Sequence, residues 1–335
     1  MWLGSQRSSH RKHPQLFGTD VSSTLQFPKL RKLRLHGIVF SDSSIPDALL
    51  EPPLTSLTIQ TSRDSKLEQS LSKRGCIDEL KTFVWDVLPA RDHDDHLSDH
   101  VLEFLRQNTQ VSRFALRYGP GHIPNTVLEH KILPLLSKSF LALTSLSLEW
   151  REDDIPESAL EIISTLKSLN QISLSAGRTP NSRSPTWFIN HRTMQKYLVK
   201  LPHLQKVAFS RDWYGSPLFN DSIPKWRPDN FPFNSPHSDP ELREKCLSWE
   251  FAHATVIIYD AMDYIGILPN LDWIFLGGHP MEVKTIFWGK ECPRMRAVFD
   301  EFNSPPRHER DSCFSYLRRI FAGEGEEEGL TWKIR

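Results

Sequence analysis

The chain has 335 residues, enough to bury a large core, and 39% of them are hydrophobic. Its 41 Lys and Arg balance 41 Asp and Glu, so no whole-chain field draws it to nucleic acid or to an anionic membrane. The four cysteines, Cys76, Cys246, Cys292 and Cys313, are far apart and form no C-x-x-C pair. That usage fits reduced thiols in the cytoplasm or nucleus rather than a secreted disulfide framework.

Residues 1–24 read as a basic, flexible tail without the apolar run of a signal peptide. From there a short pattern recurs: apolar, two residues, apolar, one residue, apolar. It reads LRKLRL from Leu30, LTSLTI from Leu54, LKTFVW from Leu80 and VSRFAL from Val111. It continues as LTSLSL from Leu143, LNQISL from Leu169, LQKVAF from Leu204 and LDWIFL from Leu271. Successive starts lie 24, 26, 31, 32, 26, 35 and 67 residues apart, the last gap holding an insertion. Self-similarity at this period signals a repeat architecture.

The second and third apolar positions are two residues apart and so share one face of a strand. The first turns the chain into that strand. Between strands the period becomes helical. HLSDHVLEFLRQN sets Leu97, Val101, Phe104 and Leu105 on one stripe. LEHKILPLLSKSF follows Asn125-Thr126, and PESALEIISTLKSL carries Pro156 in its first turn. Strand plus helix at each interval predicts an α/β solenoid of about eight to nine repeats over residues 25–290, its strands parallel and its helices on the other side. A Pro/aromatic insertion occupies 213–240, and a long helix is expected from Asp239. Residues 291–323 are expected to cap the stack with a helix in ERDSCFSYLRRIFAG, and 324–335 form an acidic tail.

The pattern resembles the leucine-rich-repeat family in its longer, helix-bearing form, most plainly at Leu143, Leu146, Leu148 and at Leu169, Ile172, Leu174. The family's usual Asn, three residues after the last repeat leucine, is replaced here by Ile38, Ser62, Leu88, Gly119, Arg151, Gly177, Asp212 and His279. The phrases LPHLQKVAF and LPNLDWIFLGG are similar to the repeat region of fungal F-box proteins. The first likeness implies a horseshoe with parallel concave strands and convex helices. The second implies a substrate-recognition module related to ubiquitin-ligase receptors, with a protein partner on the concave face and a cullin-ligase adaptor as a further partner. The stretch before the first repeat is shorter than an F-box, and no F-box is evident in it.

DHDDHLSDH, Asp92 to His100, gathers three histidines and four aspartates. The repeat frame puts it at the start of a helix, where aspartates favour the positive end of the dipole and cap free amides. His93, His96 and His100 also share one side of that helix, so an enzyme with a surface metal site is the alternative reading. No H-E-x-x-H, G-x-S-x-G, phosphate loop or strand-borne G-x-G-x-x-G is present. The expectation is therefore a non-catalytic chain without a cofactor.

A partner would meet the residues that alternate with the strand leucines. The rows include Lys32, Arg34 and His36, then Arg113, Ala115 and Arg117, then Ser145, Ser147 and Glu149, and Lys206 further on. Tyr118 and Trp150 follow the fourth and fifth strands, Trp273 lies at the far end, and the insertion supplies Trp213, Tyr214 and Trp226. Arg and exposed aromatics are enriched where binding energy concentrates. Eight strands about 4.8 Å apart span roughly 35–40 Å, a length suited to a protein segment.

Overall fold

The computed structural model describes residues 2–4, 27–38, 40, 42–61, 65–87, 99–118, 125–150, 154–177, 187–210, 212, 255–277, 279–287, 293–299 and 321. They form an α/β fold built on one open sheet whose eleven strands stand in chain order. The strands are β1 (Trp2–Gly4), β2 (Lys32–His36), β3 (Ser56–Thr61), β4 (Thr82–Val87), β5 (Arg113–Tyr118) and β6 (Ser145–Glu149). Then come β7 (Gln171–Ser175), β8 (Lys206–Ser210), β9 (Trp273–Leu276), β10 (His279–Phe287) and β11 (Pro293–Phe299).

Strands β1 to β9 are parallel, and β10 pairs antiparallel with both β9 and β11. Helices alternate with the parallel strands: α1 (Ser44–Leu50), α2 (Ser65–Arg74), α3 (Asp99–Gln107), α4 (Asn125–Val127), α5 (Leu133–Ser139), α6 (Glu157–Ile163) and α7 (His191–Leu198). A last described helix, α8, covers residues 255–267.

The repeat pattern sets the register. Leu33, Leu57, Phe83, Phe114, Leu146, Ile172, Val207 and Ile274 are cross-strand neighbours in turn. They and the apolar residues two positions on join the helix residues Leu49, Leu71, Phe104, Leu136, Leu160 and Leu198 in one continuous core. Each such side chain contributes about 1.5–3 kcal/mol when fully buried. The first apolar residue of each repeat closes a tight turn. The N–H groups of Leu30, Leu80, Val111, Leu143, Leu169, Leu204 and Leu271 each donate to the carbonyl three residues earlier, and Leu54 donates to Pro52.

A second device links the units. The carbonyl just before each strand accepts two N–H groups from the next unit. Arg31 receives Thr55 and Ser56, Thr55 receives Lys81 and Thr82, and Lys81 receives Ser112 and Arg113. The series continues through Ser112, Thr144, Asn170 and Gln205 to Asp272 and Trp273. This backbone ladder joins each unit from β2 to β9 to the next. One buried asparagine, Asn108, adds a side-chain link between the loop after α2 and the end of α3: it accepts from the Ile77 N–H at 2.8 Å and donates to the Gly75 and Phe104 carbonyls at 3.0 and 2.8 Å.

Three expectations change. The expected N-terminal tail contributes a strand, because Trp2–Gly4 pairs with Arg34–His36. The expected capping region starts with β11, so the sheet continues past β9, and Phe321, inside the expected helix, is helical. The LEHKILPLLSKSF helix is not uniform: α4 passes through a π-helical turn at Leu128–Ile132 into α5. Pro134 explains this, since its ring would clash with the carbonyl four residues back in a regular helix and widening the turn relieves it. The start of the expected helix from Asp239 and most of ERDSCFSYLRRIFAG lie outside the described residues.

Candidate partner-binding face

The helices cover one face of the parallel sheet, and the alternating residues form the far face in three rows set by the register. The row at the strand starts runs Lys32, Ser56, Thr82, Arg113, Ser145, Gln171, Lys206, Trp273. The middle row runs Arg34, Thr58, Val84, Ala115, Ser147, Ser173, Ala208, Phe275. At the strand ends stand His36, Gln60, Asp86 and Arg117, then Glu149, Ser175 and Ser210.

Exposure changes along the sheet. In β2 burial alternates: Leu33 and Leu35 are buried, Lys32 is exposed, Arg34 and His36 are half-buried. In β6 every residue is buried, and in β9 likewise. A strand covered on both faces loses its alternation. The far face is therefore accessible around Lys32, Arg34 and Arg113, and Lys206 is half-buried. Its middle row is withdrawn from solvent from Thr58 of β3 to Phe275 of β9, while Gln171 at the start of β7 is half-buried.

This corrects the reading of several candidate residues. Arg117 and Glu149, expected to be offered to a partner, are only 6% and 7% exposed. The neighbours of Arg117 explain its position: the register sets it beside Asp86, and its Nη2 lies 3.4 Å from Ser147 Oγ. With Ser173, Ser175 and Ser210 these residues line a small hydroxyl-rich cleft. Trp150 is not an exposed aromatic at all. It sits in the main core with no exposed surface, two positions past Leu148 and on the same side, and its N–H donates to the Ser175 carbonyl. The indole Nε1 of Trp150, like that of Trp85, has no hydrogen-bond partner among the described residues.

Trp273 is buried as well. It stacks on Phe275 at 6.1 Å with 22° between ring planes. Phe321 meets Trp273 edge-on at 6.1 Å, is 2% exposed, and accepts a 2.6 Å hydrogen bond at its carbonyl from Ser145 Oγ. Phe321 thus lies on the far face of the sheet. The sequence did carry a signal for this. Thr58, Ala115, Ser147, Ser173 and Ala208 are small, and a row of small side chains leaves room for another piece of chain to approach.

Among the other candidates, the side chain of Tyr118, the residues Trp213, Tyr214 and Trp226, and the 213–240 insertion lie outside the described residues, as do His93 and His96. His100 is exposed in the first turn of α3. Among the described residues no group of three His, Cys, Asp or Glu is placed to hold a metal. No described helix is long and apolar enough to cross a membrane.

One cluster of titratable groups went unread in the sequence. His191, which opens α7 behind an Asn190 cap, has Nδ1 3.0 Å from the Tyr264 hydroxyl and Nε2 3.6 Å from Asp260. Burial pushes His191 down to about 4 against the pull of Asp263. Burial, with help from Asp263, pushes the Asp260 carboxyl up, which weakens it as a counter-ion. His191 and Tyr264 also pack against Phe209, so the cluster ties α7 and α8 to β8. No periodic signal joins residues 73 apart.

No family model and no curated protein matches this chain.

Proposed function

We propose that the chain is a non-catalytic recognition scaffold: a leucine-rich-repeat-like solenoid whose far face is concave and takes a protein segment. One observation carries this reading. Eight consecutive parallel strands hold one register, so their far-face side chains form rows across all eight strands. At a spacing of about 4.8 Å such rows run roughly 35 Å, longer than a small molecule uses. The accessible part of the face, with Lys32, Arg34 and Arg113, is basic and suits an acidic stretch of a partner. The likeness of LPHLQKVAF and LPNLDWIFLGG to F-box repeat regions supports a role in selecting substrates for ubiquitin ligation, and with it contact to a cullin-ligase adaptor.

Affinity capture from lysate tests the reading. The bait is compared with a Lys32→Ala/Arg34→Ala/Arg113→Ala variant and with Lys138→Ala, an exposed change on α5. A protein retained by the intact chain and by Lys138→Ala, and lost from the triple variant, is the expected result. If every captured protein survives the triple change, the basic end of the face is not a recognition surface. A cullin-ligase adaptor among the captured proteins would support the ligase role; a different protein would leave a stand-alone scaffold.

A further inference from the structure

We infer that the edge formed by the connections into β6, β7 and β8 is a second interaction surface, which takes a short acidic segment of a partner protein that also carries aliphatic side chains. It is distinct from the far face of the sheet. The connections at residues 140–144, 164–170 and 199–205 lie side by side, because the Asn170 N–H donates to the Thr144 carbonyl and the Gln205 N–H to the Asn170 carbonyl. Lys167 Nζ also reaches across to the Lys200 carbonyl at 2.8 Å. None of these residues is Asp or Glu, whereas the connection into β4 carries Asp78 and Glu79 and the one into β9 carries Asp272. The edge is therefore locally basic in a chain whose charges balance.

Lys167 and Lys200 are exposed. Lys196, one turn before Lys200, is paired with Glu157 at 3.0 Å. Lys167 and Lys200 have no carboxylate partner among the described residues. Lys167 donates to the Ser164 and Lys200 carbonyls, and the Lys200 ammonium stands 4.8 Å from the centre of the Tyr197 ring. An ammonium has three donors, so Lys167 keeps one for a ligand. On the same connections stand Leu141, 81% exposed, and Val199, 50% exposed. The C-terminal end of a helix favours a nearby cation, which accounts for the lysines but not for these two. Spacing sets the length of the ligand. Strands lie about 4.8 Å apart and packed helices about 8–10 Å, so crossing three units takes roughly 10–20 Å, or about three to six extended residues. A nucleic-acid backbone has no use for the aliphatic pair, and two such side chains bury too little to hold a bilayer. A protein segment uses both the charges and the apolar contacts.

The test follows the fluorescein-labelled peptide EELEELEE by anisotropy as the full chain is added, at about 50 mM salt, where exposed charges are weakly screened. The peptide should bind, and QQLQQLQQ should not. Lys167→Glu/Lys200→Glu should weaken binding at least about tenfold, since two exposed attractions become repulsions. Leu141→Ser/Val199→Ser should weaken it at least about threefold. Circular dichroism checks each variant. If Lys167→Glu/Lys200→Glu fails to fold, Lys200→Glu alone should still weaken binding at least about threefold. No binding of EELEELEE overturns the inference, and so does binding that survives the lysine changes or is indifferent to Leu141 and Val199. Binding of phosphatidylserine vesicles in place of the peptide assigns the edge to a membrane and overturns it too. If the peptide is lost through Lys32→Ala/Arg34→Ala/Arg113→Ala and not through Lys167→Glu/Lys200→Glu, it belongs to the far face: this inference falls and the recognition scaffold stands. Peptide binding lost only through Lys167 and Lys200, with no lysate partner lost through the far-face variant, supports this inference although the far-face reading fails.

Discussion

Asn108 accepts the Ile77 backbone N–H at 2.8 Å across 31 residues, and in the same place its amide nitrogen donates to the Gly75 and Phe104 carbonyls. The side chain is fully buried and ties the loop before β4 to the end of α3. Asn108→Ala should destabilise the chain by about 2–4 kcal/mol, since it orphans one buried backbone donor and two acceptors. Asn108→Asp should not restore the loss, because the carboxylate cannot donate to either carbonyl. Urea denaturation of the three proteins compares them directly.

Gly75, beside that asparagine, has φ of 71°, a left-handed conformation that costs an L-residue about 1 kcal/mol. An added Cβ would stand 2.7 Å from Gln107 Oε1, the far end of a flexible side chain that can swing aside. Gly75→Ala should therefore cost roughly 1–2 kcal/mol, mostly backbone strain. A loss as large as that of Asn108→Ala would mean that Gln107 cannot move.

The strand frame makes a sharper contrast between neighbours. Ile172 is fully buried on the helix face, while Gln171, one residue earlier, faces the other way and is half-buried. Ile172→Ala should cost about 2–5 kcal/mol. Gln171→Ala should stay within about 0.5 kcal/mol. Similar midpoint shifts for the two would contradict the register.

Acid should weaken the molecule through His191. Its ordinary value near 6.5 holds in the unfolded chain, and burial lowers it to about 4 in the folded one. Between these values the unfolded chain takes up a proton that the folded chain refuses. Stability therefore falls as pH drops through that window, with a loss that approaches about 3 kcal/mol at its lower end. Asp260 works in the opposite sense: its raised carboxyl pKa adds stability as pH falls through its own titration. Melting temperatures at about pH 7 and pH 5 should converge in His191→Gln relative to the unmodified chain. An unchanged pH dependence would remove His191 as the cause.

Cys76 is an exposed thiol, yet burial of its sulfur and the hydrogen bond to Asp78 at 3.3 Å push its pKa up. A protonated thiol is a poor nucleophile. Cys76 should alkylate slowly with iodoacetamide near neutral pH, and Asp78→Asn should speed the reaction. Peptide mapping by mass spectrometry reads this one cysteine among the chain's four.

The spacing of leucines was enough to place eight strands and their cross-strand neighbours, because a period of two allows only one assignment of faces once one face is apolar. It did not reveal what covers the other face. Trp150 illustrates the reason: it lies just outside the repeat motif, so its place in the core follows from continuing the alternation one step beyond β6. Phe321 illustrates the harder limit. Its contact with Ser145 joins distant parts of the chain through shape and a single hydroxyl, and neither leaves a periodic trace. The small residues of the middle row are visible in the sequence, but their burial on the far face is not.

The reversal of strand direction at β10 has a consequence for how copies of this molecule meet. A stack of parallel strands invites its own continuation, since a second copy could add its first strand to the last of another and grow into a fibre. Here β10 runs against β9 and β11 against β10, so β11 regains the direction of the parallel strands and the two described edges, β1 and β11, point the same way. A second copy joining head to tail would meet a matching strand direction, set behind an antiparallel hairpin. The hairpin therefore sets no polarity barrier between copies: what ends at β10 is the run of parallel strands, while the sheet keeps an edge of the original direction.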